Sequence, residues 1–182
     1  MKEKKLSIQQ IAVIGVMTAV ICILAPFSIP IGVVPISFTN LAVYIALYVL
    51  GVKKGTISYV IYLLIGLVGV PVFSSFTSGP GKLFGPTGGY LIGFIPMAVI
   101  AGIFIDKFID KMYLCFLGMV LGTAVCYLFG TAWLAYEASM TFSQALAAGV
   151  IPFIPGDLAK IVIAMLIGPQ IRKALRKAGL YQ

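Results

Sequence analysis

Residues 79–90 read Gly79-Pro80-Gly81-Lys82-Leu83-Phe84-Gly85-Pro86-Thr87-Gly88-Gly89-Tyr90, with five glycines, two prolines and a lysine interrupting a chain that is otherwise almost continuously apolar. Neither a helix nor a strand tolerates that density of Gly and Pro in its interior. Irregular backbone beside hydrocarbon leaves N–H and C=O groups without partners, and it persists only where protein covers it or a watery cavity receives it. Two readings follow: one wall of a binding pocket, or a surface loop joining two spans. The rest of the chain decides between them.

The chain has 182 residues, of which 61% are hydrophobic and 10% charged, and its mean hydropathy is +1.11. A soluble domain of this length could not cover so much apolar side chain. Repeated long apolar runs, without the alternating pattern of an outer-membrane barrel, give an all-α membrane protein. No histidine is present, which removes Ser-His and Cys-His nucleophiles, His-ligated zinc and His-held haem. Cys22, Cys115 and Cys126 lie singly in apolar runs and read as buried thiols. No metal, no cofactor and no catalytic group is expected.

Working outward, the pattern predicts six transmembrane helices in a single domain over residues 1–182. The first runs from about Leu6 to Ala25; Lys2, Lys4 and Lys5 precede it as in a signal peptide, but its length and the later spans favour a retained helix. Pro26, Pro30 and Pro35 mark a loop, and the second span covers about Phe38 to Leu50. A tight polar turn over 51–55 leads to a third span from about Thr56 to Gly69, after which the irregular segment continues to Pro86. Thr87 is placed to cap the fourth span through its hydroxyl, with an end near Ile105. The fifth covers 112–136, and a polar connection over 139–149 leads to the sixth, which starts at Pro152 and Pro155 and ends near Arg172.

With both termini cytoplasmic, eleven of the thirteen basic residues fall inside, as the positive-inside bias demands. The irregular loop between the third and fourth helices then lies outside. The positive charge reflects topology, and no stacking platform accompanies it, so no nucleic acid is expected as a partner.

Lys82 and Lys160 are the basic residues left on the outer side, beside the acids Glu137 and Asp157. Within Pro155-Gly156-Asp157-Leu158-Ala159-Lys160 the two charges are three residues apart on one helix face. Counting up from Ile171 at about 1.5 Å per residue puts Asp157 about 21 Å into the bilayer from the cytoplasmic boundary, where each ionised group costs at least ~2.5 kcal/mol. Such a pair is either a structural ion pair inside the bundle or the floor of a polar pocket. The second reading gives a site of net +1 from Lys82, Lys160 and Asp157, suited to a monoanion. The Gly85–Tyr90 backbone at a helix N-terminus favours a carboxylate, and Asn40 on the same side offers a donor and an acceptor. The ligand expected is small and partly apolar, with one carboxylate and urea- or amide-like N–H groups. On the first helix Gly15 and Ala19 form a small-xxx-small pair, serving close packing inside the bundle or docking of another membrane protein. No phosphate-binding nucleotide loop is present, so the chain carries no ATPase of its own.

Gly85-Pro86-Thr87-Gly88-Gly89-Tyr90 and Pro155-Gly156-Asp157-Leu158-Ala159-Lys160 together resemble the BioY family over about residues 6–177. That family is the biotin-specific substrate-binding (S) component of energy-coupling-factor (ECF) transporters. The resemblance implies a non-enzymatic subunit of the prokaryotic cell membrane, which partners a transmembrane T component and two cytoplasmic ATPases and topples to deliver its cargo. Biotin has a carboxylate, a ureido ring with two N–H groups and an apolar thioether ring. By analogy Asp157, Lys160 and Asn40 would read its polar ends, Lys82 and the Gly85, Thr87, Gly88, Gly89 and Tyr90 stretch would close the site, and Gly15 with Ala19 would meet the scaffold. An S component for another vitamin and an intramembrane enzyme with Asp157 and Lys160 as acid and base are the rival readings.

Overall fold

The computed structural model describes residues 7–31 and 33–179. Leu6 and the basic residues Lys2, Lys4 and Lys5, on which the orientation argument draws, lie outside the described residues. Helix α1 spans Ile8–Leu24 and is opened by a capping box in which the Ser7 hydroxyl accepts from the Gln10 N–H while the Gln10 side chain accepts from the Ser7 N–H. A hairpin of β1 (Ser28–Ile31) and β2 (Val34–Ser37) follows, then α2 (Thr39–Leu67), α3 (Pro80–Leu83), α4 (Gly88–Lys107), α5 (Met112–Glu137), α6 (Phe142–Gly149) and α7 (Ile154–Lys177). Three helices, α2, α4 and α5, are long and apolar enough to cross a membrane, as is the stretch Phe142–Lys177 holding α6 and α7; α1 is apolar over 17 residues.

The proline cluster forms a hairpin instead of the loop expected. Pro30 pairs with Pro35, and the Phe38 N–H to Phe27 carbonyl bond (3.3 Å) at its base sets the alternation of the ladder. Counting inward, Pro30 and Pro35 share a non-hydrogen-bonded pair, where the missing N–H groups cost nothing.

The turn expected over 51–55 shrinks to one residue. Gly51 has φ +76°, a conformation glycine adopts at no steric cost, and helix resumes at once so that Lys53, Lys54 and Gly55 are helical. The half-helix starting at Val52 has no cap of its own. Asp106, from the far end of α4, supplies one: its Oδ2 accepts the Val52 N–H at 2.8 Å, while Oδ1 lies 3.6 Å from Nη1 of the buried Arg172 on α7.

Two further expectations are corrected. The connection over 139–149 contains α6, opened by a Thr141–Gln144 capping box. Thr87 does sit at the N-cap of α4, but its hydroxyl makes no capping bond; it faces the cavity described below.

Helix α2 is the axis of the bundle. It packs against α1, α4 and α7, and Tyr44, Tyr48, Tyr59 and Tyr62 are among the largest fully buried side chains. Their hydroxyls need acceptors once buried. Tyr44 pairs with Thr123 at 2.6 Å and Tyr59 donates to the Leu91 carbonyl at 2.7 Å, tying α2 to α5 and α4. Helices α4 and α5 form the most extensive pair. Replacing Asp106 with Ala removes the cap at Val52 and should lower stability by about 0.5–2 kcal/mol. Thermal unfolding in detergent measures this, and Asp106→Asn, which keeps an acceptor for Val52 but loses the charge facing Arg172, should recover only part of the loss.

Candidate ligand-binding site

Three helix beginnings converge at the hairpin end of the bundle. Thr39 and Asn40 open α2, Thr87 stands at the N-cap position of α4, and Asp157 sits in the first turn of α7; all four line one cavity. The empty space among these residues, counted out past the mouth into solvent, is about 640 Å³. Helix N-termini carry partial positive charge, so the cavity is biased toward a ligand with negative charge.

The polar floor is Asp157 with Lys160. Lys160 Nζ lies 2.9 Å from Asp157 Oδ1 and also donates to the Ser37 carbonyl of β2 at 2.7 Å. Asp157 and Lys160 are only 8% and 7% exposed, so the pair is shielded from bulk solvent, and both residues line the cavity. From α5, Tyr127 donates its hydroxyl to Asp157 Oδ2 at 2.6 Å. Lys160 has three N–H donors; two are engaged, which leaves one. The Asn40 amide oxygen accepts the Leu41 N–H at 3.0 Å. The apolar walls come from Val34 and Pro35 of the hairpin, Tyr90, Leu91 and Phe94 of α4, and Phe153 ahead of α7. A site with an ion pair at one end and aromatic and aliphatic surface elsewhere suits a small amphipathic molecule, since Asp157 can accept N–H groups and Lys160 can donate to oxygen.

Of the residues singled out in the sequence, Asn40, Thr87, Tyr90, Asp157 and Lys160 meet on this wall, whereas Lys82, Gly85, Gly88 and Gly89 are not in its lining. Gly88 and Gly89 face protein: a Cβ at Gly88 would run into the Leu83 carbonyl, and one at Gly89 into Trp133. The Gly85 carbonyl accepts the Trp133 indole N–H at 3.0 Å. Lys82, in the single turn α3, is half-buried, and desolvation lowers its pKa. Phe38, Phe76 and Phe84 are exposed. Gly15 and Ala19 lie on the exposed face of α1, opposite the buried Ile14, Met17, Thr18 and Ile21; nothing lies within 4 Å of a Cβ placed at Gly15. They are not close-packed within the bundle. Cys115 and Cys126 are buried and Cys22 partly so, all as free thiols.

Tyr127, Ser37 and Thr123 were not foreseen. An isolated Tyr or Thr in an apolar helix carries no sequence signal, and Ser37 contributes its backbone carbonyl; only the pleat of the hairpin could have placed it.

A helical membrane bundle with a buried carboxylate–ammonium pair lining a cavity fits a membrane substrate-binding subunit. The BioY family profile matches residues 1–177, and the chain belongs to that family. It is similar to the biotin transporter BioY of Thermotoga maritima, 37% identical over 166 residues that cover 91% of this chain and 96% of the relative. Biotin transporter BioY2 of Lactococcus lactis subsp. cremoris is 32% identical over 171 residues, 94% of both chains. The fold matches the crystal structure of an S-component for biotin from an ECF-type ABC transporter with a TM-score of 0.85 and 29% identity, over 95% of each chain.

Removing one partner of the buried pair leaves the other charge uncompensated, which costs about 3–5 kcal/mol, while replacing both with apolar groups is far cheaper. Lys160→Met should therefore destabilise the ligand-free protein by that amount. The Asp157→Leu/Lys160→Met double variant should recover most of it, as chemical denaturation in detergent would report.

Proposed function

We propose that this chain is the biotin-binding S component of an energy-coupling-factor uptake transporter in a prokaryotic plasma membrane, holding biotin in the cavity over Asp157 and Lys160. The observation that carries this reading is the buried ion pair on the wall of a partly apolar cavity, in a chain of a family whose relatives are biotin transporters. Biotin suits the wall by its chemistry. Its ureido N–H groups complement the Asp157 carboxylate, its ureido or carboxylate oxygens complement the remaining Lys160 donor and Asn40, and its apolar rings suit Leu91, Phe94 and Phe153. Thr87 and Tyr90 complete the contact surface. Gly85, Gly88 and Gly89 serve the site from one layer out by letting α4 begin against Trp133, and Lys82 adds positive potential near it.

The same reading supplies the topology. Six crossings arise from α1, the two halves of α2 (39–50 and 52–67), α4, α5 and α7, with both termini cytoplasmic and the hairpin and glycine-rich loop outside. Power comes from a transmembrane T component and two cytoplasmic ATPases. Gly15 and Ala19 present the close-approach face that the T component would meet; their exposure on α1 supports this role.

Purified protein in detergent should retain tritiated biotin at nanomolar concentration and ignore riboflavin and thiamine. Asp157→Ala and Lys160→Ala should each weaken binding by about 2–5 kcal/mol, because each strands a buried partner. Retention of another vitamin with biotin ignored would assign the chain a different cargo, and parent-like binding in both variants would displace the ligand from this cavity.

A further inference from the structure

An apolar groove between α5 and α7 runs along Val120, Ala124, Ile154, Leu158 and Ile161. Ile154 and Leu158 are exposed on its rim, so the groove opens on the lipid-facing side of the bundle. It shares Thr123, Tyr127 and Asp157 with the ligand cavity. The side chains of Tyr127 and Asp157, joined at 2.6 Å, therefore stand between the two spaces.

The carboxylate itself needs a second restraint. Rotation about the terminal bond of Asp is broad and roughly two-fold, and Lys160 pins only Oδ1. Tyr127 pins Oδ2 from the opposite helix. With both oxygens held, the carboxylate plane is fixed and its free lone pairs, out of about four in all, are left for a ligand. We infer that Tyr127 is a positioning residue for biotin recognition: it does its work through Asp157, orienting the carboxylate toward the cavity and closing the cavity against the α5–α7 groove. This rests on the proposed biotin-binding function and names a residue within it that neither motif contains.

Tyr127→Phe keeps the ring and its packing and removes only the hydroxyl. Parent, Tyr127→Phe, Asp157→Ala and the Tyr127→Phe/Asp157→Ala double variant would be titrated with tritiated biotin, and the ligand-free proteins melted in detergent. A hydrogen bond to a charged group contributes about 1.5–3 kcal/mol, so Tyr127→Phe should weaken binding roughly ten-fold or more. Its ligand-free melting should fall modestly, because the bond is already formed without ligand, with the protein still folded at the temperature of the titration. The loss should shrink to less than about two-fold in the Asp157→Ala background, since coupled residues are non-additive. Binding within two-fold of the parent, an equal loss with or without Asp157, or a melting decrease that accounts for the weakened binding would each overturn the assignment of Tyr127 alone. A parent that ignores biotin would overturn the ligand reading, and this assignment with it.

Discussion

A carboxylate and an ammonium removed from water constrain everything around them. Desolvating either ion costs several kcal/mol, and their mutual attraction offsets this only when further hydrogen bonds satisfy what the pair leaves open. Here the additional bonds come from separate elements: the Tyr127 hydroxyl of α5 and the Ser37 carbonyl of β2. The chain Tyr127–Asp157–Lys160–Ser37 thus holds α5, α7 and the hairpin at fixed separation. The cavity is the space those three elements and α4 cannot fill once the chain is satisfied.

The location of that space follows from α2. Because Gly51 turns the chain without a loop, two short half-helices follow one another almost directly, and Asp106 with Arg172 fastens the junction at the end of the bundle away from the cavity. The half over 39–50 then begins at the hairpin, beside the beginnings of α4 and α7. The electrostatic character of the site arises from this meeting of helix N-termini, with Asp157 moderating it from within the first turn of α7. That balance, more than any one side chain, suits the site to an anion with N–H donors.

The helical membrane class was legible in composition alone, since 61% hydrophobic residues leave few alternatives. Asp157 and Lys160 were legible because two charges three apart in an apolar run have to face each other and something polar. Asn40, Thr87 and Tyr90 could be placed on the same side by counting spans. The hairpin was hidden because pairing parity, which makes Pro30 and Pro35 harmless, is a property of two strands at once. The cap on Val52 was hidden for the same reason: Asp106 is 54 residues away. Tyr127 gave no signal because tyrosine in a membrane helix is common, and its partner is set by how α5 and α7 pack.

The glycine-rich stretch carries a different lesson from the one its composition suggests. Glycines beside a pocket invite the idea of backbone offered to a ligand, yet Gly88 and Gly89 are filled by Leu83 and Trp133. Across the interface, Gly130 of α5 is where the ring of Tyr90 lies, since a Cβ there would collide with it. Small residues on both helices let α4 and α5 approach closely, as membrane helices do without a hydrophobic force to drive them together. That approach aims Tyr90, Leu91 and Phe94 into the cavity alongside Thr123, Cys126 and Tyr127. A larger residue at Gly89 or Gly130 would move this entire wall away from Asp157 without touching a polar contact. The glycine motif therefore governs the site through helix spacing, and the chemistry is left to the ion pair opposite.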